Sequence, residues 1–203
     1  MTLRRLHALS AMLVGAFACL HLANHLAGLA GIETHLAFMK AARSVYRYRW
    51  LEPVVLGCIT LQVLSGLALV VKGWKGSRGR VAWLQRGSGA YLTFFLAIHV
   101  GAVLFGRAGL HLDTNFYFAA AGFHVAPFQF FFAPYYFLSI AALFTHLGCA
   151  AYWRLQGRPR LARVLLVAIP AVGAVMSLLI VLSLAGALFP VEIPAAYLET
   201  YSR

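Results

Sequence analysis

The stretch LHALSAMLVGAFACLHLANHLAGL, residues 6–29, decides the fold. A helix of roughly 20 apolar residues is long enough to cross the hydrocarbon core of a bilayer, and this stretch exceeds that length. Apart from the thiol of Cys19, its only ionisable side chains are the three histidines His7, His21 and His25. An ionisable side chain inside a membrane span costs free energy unless it has a partner, so a deep histidine indicates a functional site.

The composition predicts an integral membrane protein. Of the 203 residues, 62% are hydrophobic and 11% are charged, which is too apolar for a soluble domain. The net charge of +12 raises nucleic acid as a partner, but the basic residues lie between apolar runs, as they do in membrane loops. We therefore expect no nucleic-acid partner. The three cysteines lie inside apolar runs and are expected to be packing residues, not a disulfide framework.

Five apolar runs predict an all-α fold, an integral membrane bundle of five transmembrane helices forming one domain over residues 1–203. The runs cover residues 6–29, 51–71, 90–106, 128–153 and 164–188. Between the first two runs, residues 30–50 mix charged and aromatic side chains, which is typical of a short interfacial helix. The connections on that side of the membrane also carry histidines that we expect to be solvated, namely His35, His111 and His124.

The distribution of charge predicts the orientation of the chain. The segments on the side of the N-terminus carry 11 basic residues and no acidic ones. The opposite side carries six basic residues and all five acidic residues. Because cytoplasmic loops are enriched in Lys and Arg, we expect a cytoplasmic N-terminus in a multi-pass protein of the inner (cytoplasmic) membrane.

Four of the runs carry a polar, ligand-capable side chain near their middle, and two of these are histidines at one depth. At 1.5 Å per residue, His21 lies about 12 Å and His99 about 10 Å from the outer ends of their runs. Two histidines from different helices at one level can hold a haem iron between them. We therefore predict that His21 and His99 bind haem b. The alternative for such a histidine is a hydrogen bond across helices.

The other two polar side chains, Gln62 and His146, share a level in the inner half of the membrane. Glutamine is a poor ligand of haem iron, so a second haem at this level would have His146 on one face and a weak or absent ligand on the other. Otherwise, Gln62 and His146 would hydrogen-bond to each other or line a quinone pocket. The number of haems stays open at this point.

Further candidate binding residues lie near these two levels. His25 follows His21 by four residues, on the same helix face, where it could bond a haem propionate, a quinone carbonyl or lipid headgroups. A second group at the inner interface could bind a propionate or a quinone ring, or could simply anchor helix ends. This group consists of His7, Arg86 and Ser88.

The order of these features resembles a known family. The motif RRLH at residues 4–7 comes first, followed by a first run with a deep histidine and a second run that begins with LE. The motif WLQRGSG at residues 83–89 then precedes a third run with a histidine, and the fourth run also contains a histidine. This order is similar to that of the five-helix dihaem cytochrome b subunit of succinate:quinone and quinol:fumarate reductases. The resemblance covers residues 3–153 and, more weakly, the fifth run.

The resemblance implies that His21 and His99 ligate the outer haem. In the family, histidines of the second and fourth helices ligate the inner haem. Here the fourth helix matches with His146, but Gln62 stands at the second-helix position, which departs from the family pattern. The resemblance also implies membrane quinone and docked iron–sulfur and flavoprotein subunits. Those subunits would perform the dicarboxylate chemistry, and this chain would be a non-catalytic electron-transfer subunit.

Two other functions are compatible with the sequence. One is a stand-alone or accessory haem- and quinone-binding subunit of another electron-transfer complex, which the missing second-helix histidine favours. The other is a haem-free membrane scaffold, or a transporter whose histidines relay protons. The absorption band of a reduced b-type haem would separate the haem-free class from the rest.

Overall fold

The structure, a computed structural model, describes residues 2–76 and 78–202. The described chain is helical and contains no β-strand. Its α-helices are α1 (Leu3–Ala27), α2 (Ile32–Tyr46), α3 (Leu51–Gly73), α4 (Arg80–Ala108), α5 (Phe116–Ala120), α6 (Gln129–Arg154), α7 (Pro159–Leu184) and α8 (Ala195–Leu198). Helices α1, α3, α4, α6 and α7 are each long and apolar enough to cross a membrane. The predicted all-α, five-span architecture is thus confirmed.

Helix α4 begins ten residues earlier than the apolar run that predicted it. Gly79, at φ 82°, ends the preceding turn, and the helix starts at Arg80. The motif WLQRGSG at residues 83–89, which lies outside the apolar run in the sequence, is therefore part of the same helix. Its residues are polar but carry no proline, and the contacts of Ser88 with α6 stabilise the added turns. The fifth run shifts similarly, because Pro159 is well suited to the first turn of α7.

The five spans pack mainly against their neighbours in the chain, in the order α1, α3, α4, α6 and α7. The α6–α7 seam is close because small residues face large ones: a Cβ atom added to Gly173 would lie 2.3 Å from the Cβ of Phe144. Such small-residue contacts are typical of helix pairs in membranes. Helix α3 packs against both α1 and α4. As a result, α1 and α4 face each other mainly through long side chains.

Short helices cover one end of the bundle, which we call the outer end. Helix α2 packs along α1, and α5 with the turn Ala121–Phe123 packs onto α6 and α7. A cluster of buried apolar side chains forms the core here, namely Phe116, Ala120, Phe123, Ile140, Ile180 and Leu184. The outer end is therefore a packed lid over the spans.

Helix α2 confirms the helix predicted within residues 30–50, but the prediction that its histidine, His35, is solvated was wrong. His35 is 2% exposed, because the face of α2 that carries it and Met39 packs against α1. The other two histidines of these connections are exposed, as expected. One of them, His124, donates from its Nε2 to the carbonyl oxygen of Leu184 at 3.0 Å.

Candidate functional site

His21 of α1 and His99 of α4 face each other across the bundle. Their ring centroids are 6.0 Å apart, and the ring planes make an angle of 62°. Both rings are only partly covered by protein. Within residues 2–76 and 78–202, neither ring makes a hydrogen bond. The proximity that depth counting predicted is found, and the ring nitrogens are free.

Each of the two rings is braced by a phenylalanine one helical turn earlier. Phe17 stacks on His21 with centroids 5.8 Å apart and planes at 16°. Phe95 stacks on His99 with centroids 5.0 Å apart and planes at 14°. Residues four apart lie on the same helix face, which places each phenylalanine beside its histidine. The stacking limits the rotation of both imidazoles and holds them toward the interior.

Two more histidines extend this pair toward the outer end. The ring centroid of His25 lies 4.8 Å from that of His21, and the ring of His35 lies 5.3 Å from that of His25. His35 also hydrogen-bonds through Nε2 to the amide nitrogen of Asn24 at 3.1 Å. We call His99, His21, His25 and His35 the histidine row. It starts at the facing pair and ends under α2.

The facing pair fits a haem iron better than a bare metal ion. A metal–imidazole nitrogen bond is about 2.0 Å long, so two rings on opposite sides of one metal have centroids roughly 6 Å apart. Across the described chain, no three His, Cys, Asp or Glu side chains converge on one point. A haem supplies four equatorial nitrogens itself and needs only two axial ligands from the protein. The donors present, two imidazoles on separate spans, match that requirement.

In the inner half, Gln62 does not face His146. Its amide donates to the carbonyl oxygen of His7 at 2.6 Å and to Ser10 Oγ at 2.7 Å. Both amide hydrogens of Gln62 are therefore used to hold α3 against α1. Of the alternatives for this level, the hydrogen bond between Gln62 and His146 is therefore wrong, because depth along a helix does not determine its rotation. Because its amide contacts α1, Gln62 is also not in position to be a ligand opposite His146.

His146 is instead held by the QRGS part of α4. Its Nδ1 lies 3.1 Å from the carbonyl oxygen of Gln85 and 3.3 Å from Ser88 Oγ. A carbonyl oxygen only accepts, so Nδ1 carries the hydrogen and Nε2 keeps its lone pair. This is the tautomer that a metal ligand needs. The side-chain nitrogen of Gln85, 3.2 Å from Nε2, is its present neighbour.

The remaining inner candidates do not meet at one point. His7 lies against α3, with Nδ1 2.7 Å from Ser65 Oγ. Ser65 gives its hydroxyl hydrogen to the carbonyl oxygen of Leu61, so His7 is the donor in this contact. Arg86 lies against the end of α3, where a Cβ added to Gly73 would be 2.6 Å from its Nε. Of the predicted inner group, only Ser88 contacts His146.

A lipid-facing groove of about 900 Å³ runs between α4 and α6 next to Ser88. Its floor is formed by small residues such as Gly87 and Ala141, and its polar lining includes Ser88, Tyr91 and Thr145. Ligand sites for small molecules are commonly of this size, mostly apolar, with a few polar groups. Its lining residues lie mostly on two membrane-spanning helices, so a molecule dissolved in the bilayer could enter it without passing through water.

Sequence reasoning missed the outer part of the histidine row. His35 and Asn24 are 2% and 6% exposed and are paired with each other. Their remaining polar atoms, His35 Nδ1 and Asn24 Oδ1, are buried without a partner in the described chain. The spacing of His35, Met39 and Ala42 along α2 was the signal that could have identified a buried face.

Comparison of this chain with protein-family models, with curated proteins and with solved structures finds no match.

Proposed function

We propose that this protein is a membrane cytochrome b that holds haem b between His21 and His99 and passes electrons between membrane quinone and a partner protein. The observation that carries the proposal is the facing pair of imidazoles with free nitrogens, 6.0 Å apart. An unpartnered polar group away from water costs about 1–3 kcal/mol. Two such groups on neighbouring rings are best explained by a shared ligand.

The residues of this chain would position the haem and control its surroundings. His21 and His99 would hold the haem iron, and Phe17 and Phe95 hold both imidazole rings in place. The apolar spans keep water from the ring and lower the local dielectric, which tunes a redox potential. When bound, haem b supplies reversible one-electron chemistry. His146 stays a candidate ligand of a second haem, which would have no ligand from Gln62.

Quinone is the redox partner that the membrane itself provides. The groove between α4 and α6 has a size that suits a quinone ring, and Ser88 and Thr145 offer polar contacts. His25, next to His21, is a second place at which a quinone oxygen could be bonded. Both positions are within a membrane span, so the quinone would reach either from the lipid.

The partner and the orientation follow from the resemblance and from the charges. We propose a cytoplasmic N-terminus in the inner membrane, with the basic cytoplasmic side docking iron–sulfur and flavoprotein subunits of a succinate dehydrogenase or fumarate reductase. An accessory subunit of another electron-transfer complex is the alternative. Affinity purification of the full chain distinguishes them, since the first predicts copurifying succinate dehydrogenase activity and the second predicts none.

The histidine row favours one function of another class, a proton relay. The centroids of successive rings from His99 to His35 are 6.0, 4.8 and 5.3 Å apart. Imidazoles at such spacing could pass protons in a transporter without haem. The absorption spectrum of the purified protein decides between the two functions. A reduced b-type band that is lost in His21→Ala supports the cytochrome, and a protein without haem contradicts it.

A further inference from the structure

Three arginines gather at the outer end of the bundle with only two acidic partners. Arg43 of α2 pairs with Asp113 at 2.7 Å. Arg107, near the end of α4, pairs with Glu52. Arg47, which directly follows α2, has no acidic partner in residues 2–76 and 78–202. The arginine cluster of Arg43, Arg47 and Arg107 therefore carries one uncompensated positive charge.

Arg47 holds that charge in a partly buried position. Its Nη2 donates to Thr114 Oγ1 at 3.2 Å, but its Nε is buried and has no hydrogen-bond partner in the described part of the chain. The Nε of Arg43 is also buried without a hydrogen-bond partner among the described residues. Burial, and then the charges of Arg43 and Arg107, lower the pKa of Arg47, yet a guanidinium stays protonated in proteins. A buried cation that cannot lose its proton is costly unless an anion pairs with it, so an anion is expected at this position.

The arginine cluster is linked to the facing histidines through both of the helices that carry them. On α1, Phe17 stacks on His21 and also contacts Tyr46, whose ring centroid is 5.2 Å away. Tyr46 is the residue before Arg47. On α4, Arg107 follows His99 by eight residues, or about 12 Å along the helix. A macrocycle held by the two imidazoles and extending toward Tyr46 would bring its carboxylates toward the unpaired guanidinium.

We propose that Arg47, together with Arg43, binds a carboxylate of the haem held between His21 and His99. This inference rests on the proposed function. Haem b carries two propionate groups on one edge of its ring, and these carboxylates need cations when the ring lies inside a membrane. Arginine binds a carboxylate through two parallel hydrogen bonds. The free Nε atoms of Arg43 and Arg47, four residues apart on one face, supply such donors.

The phosphate of a lipid headgroup has the same oxyanion chemistry and is the competing occupant. A lipid phosphate would bind whether or not the haem has carboxylates. A propionate contact would disappear when the carboxylates are esterified. The dimethyl ester of haem b keeps the iron, the ring and the axial coordination, so it isolates the contribution of the carboxylates.

The test compares the affinity of haem-depleted, full-length protein in detergent for haem b and for its dimethyl ester. We expect Arg47→Gln to weaken binding of haem b about tenfold or more, the loss of one charge-assisted contact, and to leave binding of the ester unchanged. Arg47→Lys keeps the positive charge but cannot form two parallel hydrogen bonds, so its affinity for haem b should lie between those of the wild type and Arg47→Gln. Arg49→Gln is the matched control, since Arg49 is exposed and only stacks on Trp50, 5.1 Å from the ring centroid.

Several outcomes would overturn this assignment. Equal losses for haem b and for the ester in Arg47→Gln would show a structural role. Unchanged binding of haem b would show no role. Copurified phospholipid that disappears in Arg47→Gln, with haem binding intact, would identify a lipid site. A wild-type protein that binds neither compound would overturn the proposed function as well, whereas the other outcomes leave that function in place.

Discussion

The outer and inner halves of the bundle both contain histidines from two spans, but they use them differently. In the outer half, His21 and His99 face each other and make no hydrogen bonds within the described chain. In the inner half, His7 and His146 each donate a hydrogen bond from Nδ1 to a neighbouring helix. Within the described chain, their rings do not contact each other. A polar side chain in a membrane span therefore becomes a cofactor candidate when the protein leaves it unsatisfied, not merely when it is present.

The largest expected effect separates the two halves directly. His21→Ala and His99→Ala should each abolish haem binding at the outer site, because one axial ligand is lost. His146→Ala should leave that site intact, since His146 contacts Gln85 and Ser88. Haem content per polypeptide, from the pyridine haemochrome spectrum, measures this. If His21→Ala or His99→Ala kept the haem content of the outer site, the proposed difference between the two halves would be wrong.

A pH dependence is expected at the outer end. Burial, and then the charges of His21 and Arg43, lower the pKa of His35 to about 4 from 6.5. The unfolded chain therefore binds a proton at higher pH than the folded chain does. The stabilisation from neutral His35 is complete above about pH 6.5 and is lost as the pH falls toward 4.

The variant His35→Gln should flatten this profile. The thermal unfolding midpoint of the wild type should fall more between pH 7 and pH 4.5 than that of the variant, in the same detergent. His111→Gln is the control, because His111 is exposed. Parallel profiles for the wild type and His35→Gln would argue against a buried, neutral His35.

In the inner half, Gln62→Leu should reduce stability without affecting haem at the outer site. The substitution removes the two hydrogen bonds from Gln62 to His7 and Ser10. Interhelical hydrogen bonds in membrane proteins contribute about 0.6 kcal/mol each on average, so we expect a loss of about 1 kcal/mol. Unfolding in mixed detergent micelles measures it. A loss of outer haem in this variant would contradict the separation of the halves.

The smallest effect concerns the bracing rings. Phe95→Leu keeps both ligands but removes the stack on His99. Aromatic pairs contribute about 0.5–1.5 kcal/mol beyond their buried area, so haem affinity should fall by roughly three- to tenfold. Phe94→Leu is a suitable control, because Phe94 is the preceding residue of α4, is 48% exposed and does not stack on His99. Equal effects of the two substitutions would exclude a specific bracing role.

The sequence was sufficient to predict the spans and the facing pair. A bilayer needs long apolar helices, so the runs around His21 and His99 could only be membrane spans, and counting residues gave their common depth. The structure confirms both the spans and the proximity of the two rings. Their role as iron ligands stays a prediction.

Other features depend on contacts between distant parts of the chain. The rotation of α3, which turns Gln62 toward α1, is set by packing over its whole length. The burial of His35 depends on α2 folding back along α1. The partial pairing of the arginine cluster depends on Asp113, 70 residues from Arg43. A local pattern contains none of these long-range pairings.

The most direct measurement is the absorption and electron paramagnetic resonance spectrum of the purified, oxidised protein beside His21→Ala and His99→Ala. Coordination of one iron by both imidazoles predicts a six-coordinate, low-spin b-type haem in the wild type that is lost or high-spin in each variant. A wild-type protein without haem, or a low-spin signal that persists when either imidazole is removed, would contradict the account.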